Sequence, residues 1–436
     1  LEKAYAKIYG CYENLVSGSP YHAFPDLTGN PCDIYELHDE EQLIGLWEKL
    51  MRWNASEDNL MSVACDEGSR KDPTKAGLMN DHSYTVLDAK QSRTLQPEVW
   101  LLEVRNPWGH GEWTGDWSDF SDKWTPKAMA DFNIKKEDLN PDDGAFYMCW
   151  PDFLSYFTTL TVCYCRRDWT DARVAVNLHY DHQSKMLTTN PVKMIVPPGG
   201  KCEWVGMFQQ DSREKGAPTY SPTDQKKPYL DLTALIFKET ANGREPCGFV
   251  GCESARQCFA GFTPDDKDQG TNDPLEAGTY IIVPFTSGRH WAEDTPQDRQ
   301  IAFSCHAHSV GGGALTMQVC NEQYSKNEFD QAFLDCAMVL GEEKKWHDLE
   351  RRHLRVGQLD LYVGRNNSKN KTLVFSMSGD LDNIFNAYNY PDLAEGCAFE
   401  MQPGQCAIFG VQVMMNPKEA GSSAYKFGLK SKPAGM

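Results

Sequence analysis

His82, in MNDHSYTVLDA, and Asn106, in LLEVRNPWG, are the two residues of this chain whose types and spacing suggest chemistry. Nucleophilic catalysis by a thiol needs a thiolate, a histidine to share its proton, and a third group to orient the imidazole. His82 opens a candidate strand and Asn106 ends the neighbouring one. The turn-containing segment between them fits a hairpin, which brings both residues to the same end of a sheet. An asparagine carbonyl accepting from one ring nitrogen would fix the tautomer and leave the other nitrogen facing a thiol. A single histidine and a single asparagine carry little weight alone, because histidines commonly finish as satisfied surface or core residues.

Metal chemistry has weaker candidates. Cys305-His306-Ala307-His308 has ligand-type residues, but strand alternation puts His306 and His308 on one face and Cys305 on the other. Two histidines alone rarely make a site. Cys247, Cys252 and Cys258 lack a fourth partner at zinc spacing. The 15 cysteines are odd in number and sit mostly in apolar, strand-like runs, where free thiols act as small buried hydrophobes. A reducing, cytoplasmic protein without disulfides is expected.

The elements that must position these residues can be read from composition and periodicity. A chain of 436 residues accommodates about three domains, each large enough for its own core. With 43 basic and 62 acidic residues the formal charge is -19, which repels a phosphate backbone, so nucleic acid is not expected as a partner. No apolar stretch approaches the ~20 residues that span a bilayer, so no transmembrane segment is expected. Residues 1–16 read as an amphipathic helix with Leu1, Ala4, Tyr5, Ile8, Tyr12 and Leu15 on one side. Residues 18–33 are turn-rich, and 40–53 form a second helix with an acidic start. MSVAC, HSYTVLDA, EVWLLEVR, AFYMCW and LTVCYC then predict an antiparallel sheet ending near residue 167. Beyond residue 170 helix signals nearly vanish. ARVAVNLHY, VKMIVPP, CEWVGMF, LDLTALIFK, GTYIIVPF and RQIAFSCHAH predict a β-sandwich over 168–310. Gly311–Gly313 read as a hinge. A second sandwich over 311–436 is expected from ALTMQVC, AFLDCAMVL, QLDLYVG, KTLVFSMS, CAFEMQPG, CAIFGVQVMM and YKFGLKS. The likeness of LEAGTYIIV at 275–283 to MQPGQCAIF at 401–409 favours tandem copies of one domain type.

The first 165 residues carry a more specific pattern. LEKAYAKIYGCYENL, AFPDLTG, MSVAC, DHSYTVLDA, VRNPWGHGEWTGDWSD and DDGAFYMCWPDFLSYFTTLTVC resemble, in order and spacing, the papain-like protease core of calpains, and with no calcium motif of the D-x-D-x-D-G kind in the sequence the resemblance is to atypical, protist-like calpains. The resemblance implies an α+β core over residues 1–167: the end of a helical first lobe, then an antiparallel lobe bearing the histidine and asparagine, with a substrate cleft between lobes. It makes His82 the base and Asn106 its orienting residue, and it matches Trp108 to the tryptophan that shields the pair at the cleft. Trp100 and Trp124 are expected to pack as core. The nucleophilic cysteine is expected upstream of Leu1. Cys11, in an amphipathic helix, and Cys406, opening a strand, are read as packed thiols.

The resemblance also implies calcium held by carboxylates and carbonyls of two loops, as a hard cation requires. Glu112 and Asp119 match the first loop and Asp143 the second. Ala145 stands where the next acidic ligand belongs, so calcium binding is expected to be weak or lost. The acidic run at 262–278 resembles a loop of the calpain β-sandwich linked to calcium and membrane response. Two functions follow. The chain could be part of a cysteine endopeptidase acting on exposed, extended protein segments. Alternatively it could be a non-catalytic scaffold with cytoskeletal or membrane-surface contacts through its sandwiches.

Overall fold

The computed structural model describes residues 1–55, 59–66, 68–165, 169–183, 185–210, 230–254, 257–260, 275–288, 291, 298–308, 311–356, 359–381, 384–386, 396–414 and 423–433. Two compact units divide the chain: Ser17–Asp168, and Leu1–Val16 together with Trp169–Met436.

Ser17–Asp168 is built on a six-stranded antiparallel sheet. In chain order its strands are β1 (Cys32–Glu36), β2 (Asn59–Cys65), β3 (His82–Gln91), β4 (Trp100–Arg105), β5 (Ala145–Cys149) and β6 (Thr159–Tyr164). Their spatial order is β1-β6-β2-β3-β4-β5. The five strands expected from alternating apolar runs are all present, and β3 and β4 pair directly, as the hairpin reading required. The turn-rich reading of residues 18–33 is corrected. Ser19 caps a helix over Pro20–Thr28 by accepting from the Tyr21 amide, and Gly29 ends it in the left-handed region. Serine before proline is a cap followed by a first-turn proline, which starts a helix as readily as a turn. The helix expected over 40–53 is two, Glu40–Leu43 and Leu46–Ala55, separated at Gly45 with φ +67°. The longer one buries Leu46, Trp47, Leu50 and Trp53. Trp100 stacks on Trp47 with ring centroids 5.0 Å apart, and Trp124 meets Trp117 edge-on, so both pack as expected.

In the other unit, residues 1–16 form a helix only over Glu2–Tyr9. Gly10, at φ 100°, stops it before a 3-10 turn at Tyr12–Leu15. Ala6 and Tyr9 are its buried residues while Ile8 and Tyr12 are half exposed, so the expected Ile8–Tyr12 stripe is not the packed face. From Trp169 onward two five-stranded antiparallel sheets share a core that includes Val176, Met194, Trp204, Phe208, Ile236 and Ile282. One sheet orders its strands Gln257–Ala260, Trp204–Gln209, Asp298–His308, Trp169–Asp181 and Met186–Thr189. The other orders Gly243–Ser254, Asp231–Thr240, Gly278–Thr286, Val192–Val196 and Thr316–Val319. Thr316–Val319 pairs with Val192–Val196, so the first sandwich takes one strand from beyond the three glycines, past the boundary expected at residue 310.

The strand expected at AFLDCAMVL is a helix, Lys326–Leu340, opened by a Ser325–Glu328 capping box. Phe329, Ala332, Phe333, Cys336 and Ala337 recur at helical spacing and are buried. The helix packs on the strands Gly243–Ser254, Leu349–Val356 and Leu359–Asn366 and makes one continuous core with both sandwiches. The second sandwich joins the sheet Glu342–Trp346, Leu349–Val356, Leu359–Asn366, Cys406–Met414 and Ile384–Asn386 to a three-stranded sheet, Cys397–Met401, Lys371–Leu381 and Ser423–Pro433. Leu349, Phe375, Met401 and Phe409 lie at the centre of its own core.

Candidate active site

His82 is the first residue of β3 and Asn106 follows the last residue of β4, so the hairpin sets them side by side. His82 Nε2 lies 2.9 Å from Asn106 Oδ1. Asn106 is fully buried, and its amide nitrogen donates to the carbonyls of His110 at 2.6 Å and Gly111 at 3.3 Å. With the nitrogen committed there, Oδ1 faces the imidazole and also accepts from the Trp108 amide at 3.0 Å. An oxygen opposite Nε2 requires the Nε2–H tautomer, so Nδ1 is the ring nitrogen left to accept a proton.

The backbone of Asn106 is held as firmly as its side chain. Its amide donates to the Gly144 carbonyl at 2.8 Å, and Gly144 lies at φ +83°. A Cβ at Gly144 would come within 2.8 Å of the Asn106 carbonyl oxygen and of Gly109 Cα, so only glycine fits this crossing of two loops.

Trp108 is 58% exposed, and its ring centroid is 4.4 Å from that of His82. The other tryptophans of this loop, Trp113 and Trp117, are buried. Tyr84 meets His82 edge-on at 4.9 Å, and its hydroxyl accepts from the Met79 amide at 2.7 Å. Burial pushes the Tyr84 hydroxyl up to about 12, so it stays neutral beside the imidazole. Tyr84 was not singled out in the sequence, although it stands two residues along the strand from His82, on the same face. A cleft of about 280 Å³ opens beside His82, with Ser19, Ala64, Cys65, Asp66 and Asp81 among its walls. Cys65 is the direct cross-strand partner of His82. It is fully buried, and desolvation with the nearby Asp66 charge pushes its thiol up to about 12, the reverse of what a nucleophilic cysteine needs.

The acidic loops lie next to the same backbone. Glu112 Oε1 accepts from the Gly144 amide at 2.7 Å, and Asp143 Oδ1 accepts from the Ala145 amide at 2.8 Å. Both Asp119 carboxylate oxygens are buried without a hydrogen-bond donor. Burial, then the Glu112 and Asp143 charges, raise the Asp119 carboxyl to about 7. Burial likewise raises Glu112. Among the described residues no three His, Cys, Asp or Glu side chains gather closely enough to hold a metal ion.

Residues 1–164 match the calpain family cysteine protease domain. Over 169 residues the chain is 35% identical to the calpain-1 catalytic subunit of Gallus gallus, 37% to that of Homo sapiens and 34% to the calpain-2 catalytic subunit of Mus musculus. These alignments take in 37% of this chain and 22–23% of each relative, so the chain spans less than a quarter of the length of these relatives. Residues 1–164 belong to the calpain family.

Outside the calpain domain the other candidates fall apart as sites. Cys305 is fully buried in the first sandwich, whereas His306 is buried on the opposite face with Nε2 3.5 Å from Asp171. His308 is exposed at the end of the same strand, and alternation keeps the three from converging. Cys247 is a free thiol pushed up to about 12 by burial. The side chains of Cys252 and Cys258, and most of the acidic run at 262–278, lie outside the described residues. Cys11 sits at the start of the 3-10 turn after the first helix, and Cys406 opens a strand and accepts from Arg365 Nε at 3.5 Å. All cysteines among the described residues are free thiols. Among these residues no helix is long and apolar enough to cross a membrane.

Proposed function

We propose that this chain supplies the histidine and asparagine of a calpain-type cysteine endopeptidase, with His82 as proton acceptor and donor and Asn106 as its orienting group. The observation that carries the reading is the 2.9 Å His82 Nε2–Asn106 Oδ1 bond, made by an asparagine whose amide nitrogen is already committed to two carbonyls. That bond sets the tautomer. A cysteine brought to Nδ1 would pass its proton there, giving a thiolate–imidazolium pair. The thiolate would attack a scissile carbonyl, and the His82 Nδ1 proton would go to the departing amine. Water, deprotonated by the same nitrogen, would then release the acyl group and restore the thiol. Trp108 lies over the imidazole and limits water around the His82–Asn106 bond. Substrates are cytoplasmic proteins with exposed, extended segments that can lie along the cleft.

Calcium is the second part of this reading. Asp119, buried and facing Glu112 and Asp143, is the first candidate ligand, and the other two would have to be drawn toward it, since the three do not gather around one point. A bound ion would supply positive charge that lets all three carboxylates ionise together.

The test is a longer form of the protein that includes the region preceding Leu1. With a cysteine present there, it should cleave an unstructured protein. His82→Ala should remove nearly all activity, and Asn106→Ala should cost less, though an orienting loss can approach ~10⁴-fold. Activity that survives His82→Ala would overturn the assignment. A cysteine upstream with no cleavage under any calcium condition would support a scaffold, the role that Ala145 and the added sandwich favour.

A further inference from the structure

The second sandwich carries a half-open cavity of about 300 Å³ lined by both of its sheets. Lys344, Arg351 and Gly364 form one cross-strand row over it, and Glu342, His353 and Tyr362 form the next. Residues directly opposite across antiparallel strands share a face, so both rows look toward the three-stranded sheet. That sheet contributes Phe375, Met377 and Phe427, and Phe409 completes an apolar wall. Gly364 leaves room for the Phe409 ring, since a Cβ there would lie 2.3 Å from it.

The cations around this cavity differ in one respect. Lys344 has Glu342 at 3.6 Å, Arg352 has Glu350 at 2.8 Å and Glu343 at 3.4 Å, and His353 has Asp360 at 2.7 Å. Arg351 forms no hydrogen bond or ion pair among the described residues, and its Nε is buried without a partner. Its guanidinium carbon lies 4.6 Å from the Phe427 ring centre and 5.9 Å from that of Trp346. Two aromatic rings therefore hold the fork in place while its donors stay unused. In a chain with 62 acidic and 43 basic residues, an ordered arginine left without a carboxylate stands out.

We propose that this cavity binds a small amphiphilic carboxylate, its head on the Arg351 fork and its apolar body against Phe375, Met377 and Phe409. The guanidinium matches a carboxylate in a bidentate, charge-assisted pair. One unpaired cation beside Glu342 favours a monoanion over a phosphate dianion. The volume is at the lower end of ligand cavities, which suits a body of roughly ten heavy atoms. Desolvation opposes the charged form of Arg351, and an anion seated on it would offset that opposition.

The test is calorimetric titration of the whole chain with octanoate, octanol, acetate and inorganic phosphate, below the micelle-forming concentration of octanoate. Octanoate should bind, with octanol and acetate each at least tenfold weaker and phosphate weaker still. Arg351→Gln should weaken octanoate at least tenfold and leave octanol unchanged. Lys344→Glu, which places a carboxylate in the row of Arg351 without truncating it, should cause the same loss if Arg351→Gln does not fold. The proposal is overturned if octanoate does not bind, if octanol or phosphate binds as tightly, or if a folded variant at either position keeps full octanoate affinity.

Discussion

Asp119→Asn should make the Ser17–Asp168 unit more stable, and more so in alkali than in acid. The Asp119 carboxyl rises from its ordinary 3.8 to about 7, chiefly because it is buried and then because Glu112 and Asp143 face it. At ~1.36 kcal/mol per pH unit of displacement, ionising it in the fold costs ~4 kcal/mol before screening. Solvent and salt around a partly exposed loop reduce this to ~2 kcal/mol. The folded state binds the proton more tightly than the unfolded chain does. The cost is therefore absent below 3.8, grows as pH rises toward 7 and is constant above it. The asparagine variant should gain ~2 kcal/mol at pH 8 and only ~0.5 kcal/mol at pH 4. Urea unfolding of the whole chain in EDTA, followed by tryptophan fluorescence, reads this unit through Trp113, Trp117 and Trp124. Asp142→Asn, on an exposed carboxylate, serves as the control and should change neither value. An equal gain at both pH values, or none at pH 8, would refute the electrostatic account of Asp119.

Three further outcomes are expected. Ala145→Glu should strengthen calcium binding measured by calorimetry; an unchanged affinity would mean that these loops are not a calcium site. Phe333→Ala, at the fully buried centre of the Lys326–Leu340 helix, should cost ~3–5 kcal/mol of the second unit's stability in urea unfolding. Cys65 should resist iodoacetamide at pH 8 in the folded protein and react in urea, a contrast that peptide mapping would show, because it is buried and its thiol is pushed up to about 12.

The parts that were legible in the sequence share a cause. β3, β4, β5 and β6 are rich in β-branched and aromatic residues, β2 is a short apolar run around Val63, and each is expected from the sequence where it occurs. The His82–Asn106 hairpin follows from two such strands in succession. The misses come from signals that compete. AFLDCAMVL, residues 332–340 of the Lys326–Leu340 helix, reads as a strand because it is a short, largely apolar run broken only at Asp335, which periodicity alone does not assign. The deciding sign was Ser325 followed three residues later by Glu328, a capping box. Glu342–Trp346 and Leu349–Val356 were passed over because EEKKW and LERRHLRV are mostly charged, and their pairing comes from long-range register rather than local composition. Nothing local to DDGAFY announces that Gly144 carries the backbone of Asn106, since that crossing exists only once β4 and β5 are side by side.

The same glycine explains why the reading of calcium as a weak ligand has a physical basis beyond the substitution at Ala145. Glu112 spends one carboxylate oxygen on the Gly144 amide, and Asp143 spends one on the Ala145 amide, where β5 begins. Gly144 in turn accepts from the Asn106 amide. Only Asp119 holds its oxygens without donors. A cation that drew Glu112 and Asp143 toward Asp119 would release the electrostatic opposition among three carboxylates, but it would have to break or share two backbone bonds at the start of β5. An acidic residue at position 145 would add a ligand without spending either bond. In this proposal its absence leaves those bonds as a cost that ion binding must offset, and the Gly144–Asn106 link carries any such rearrangement directly to the residue that orients His82.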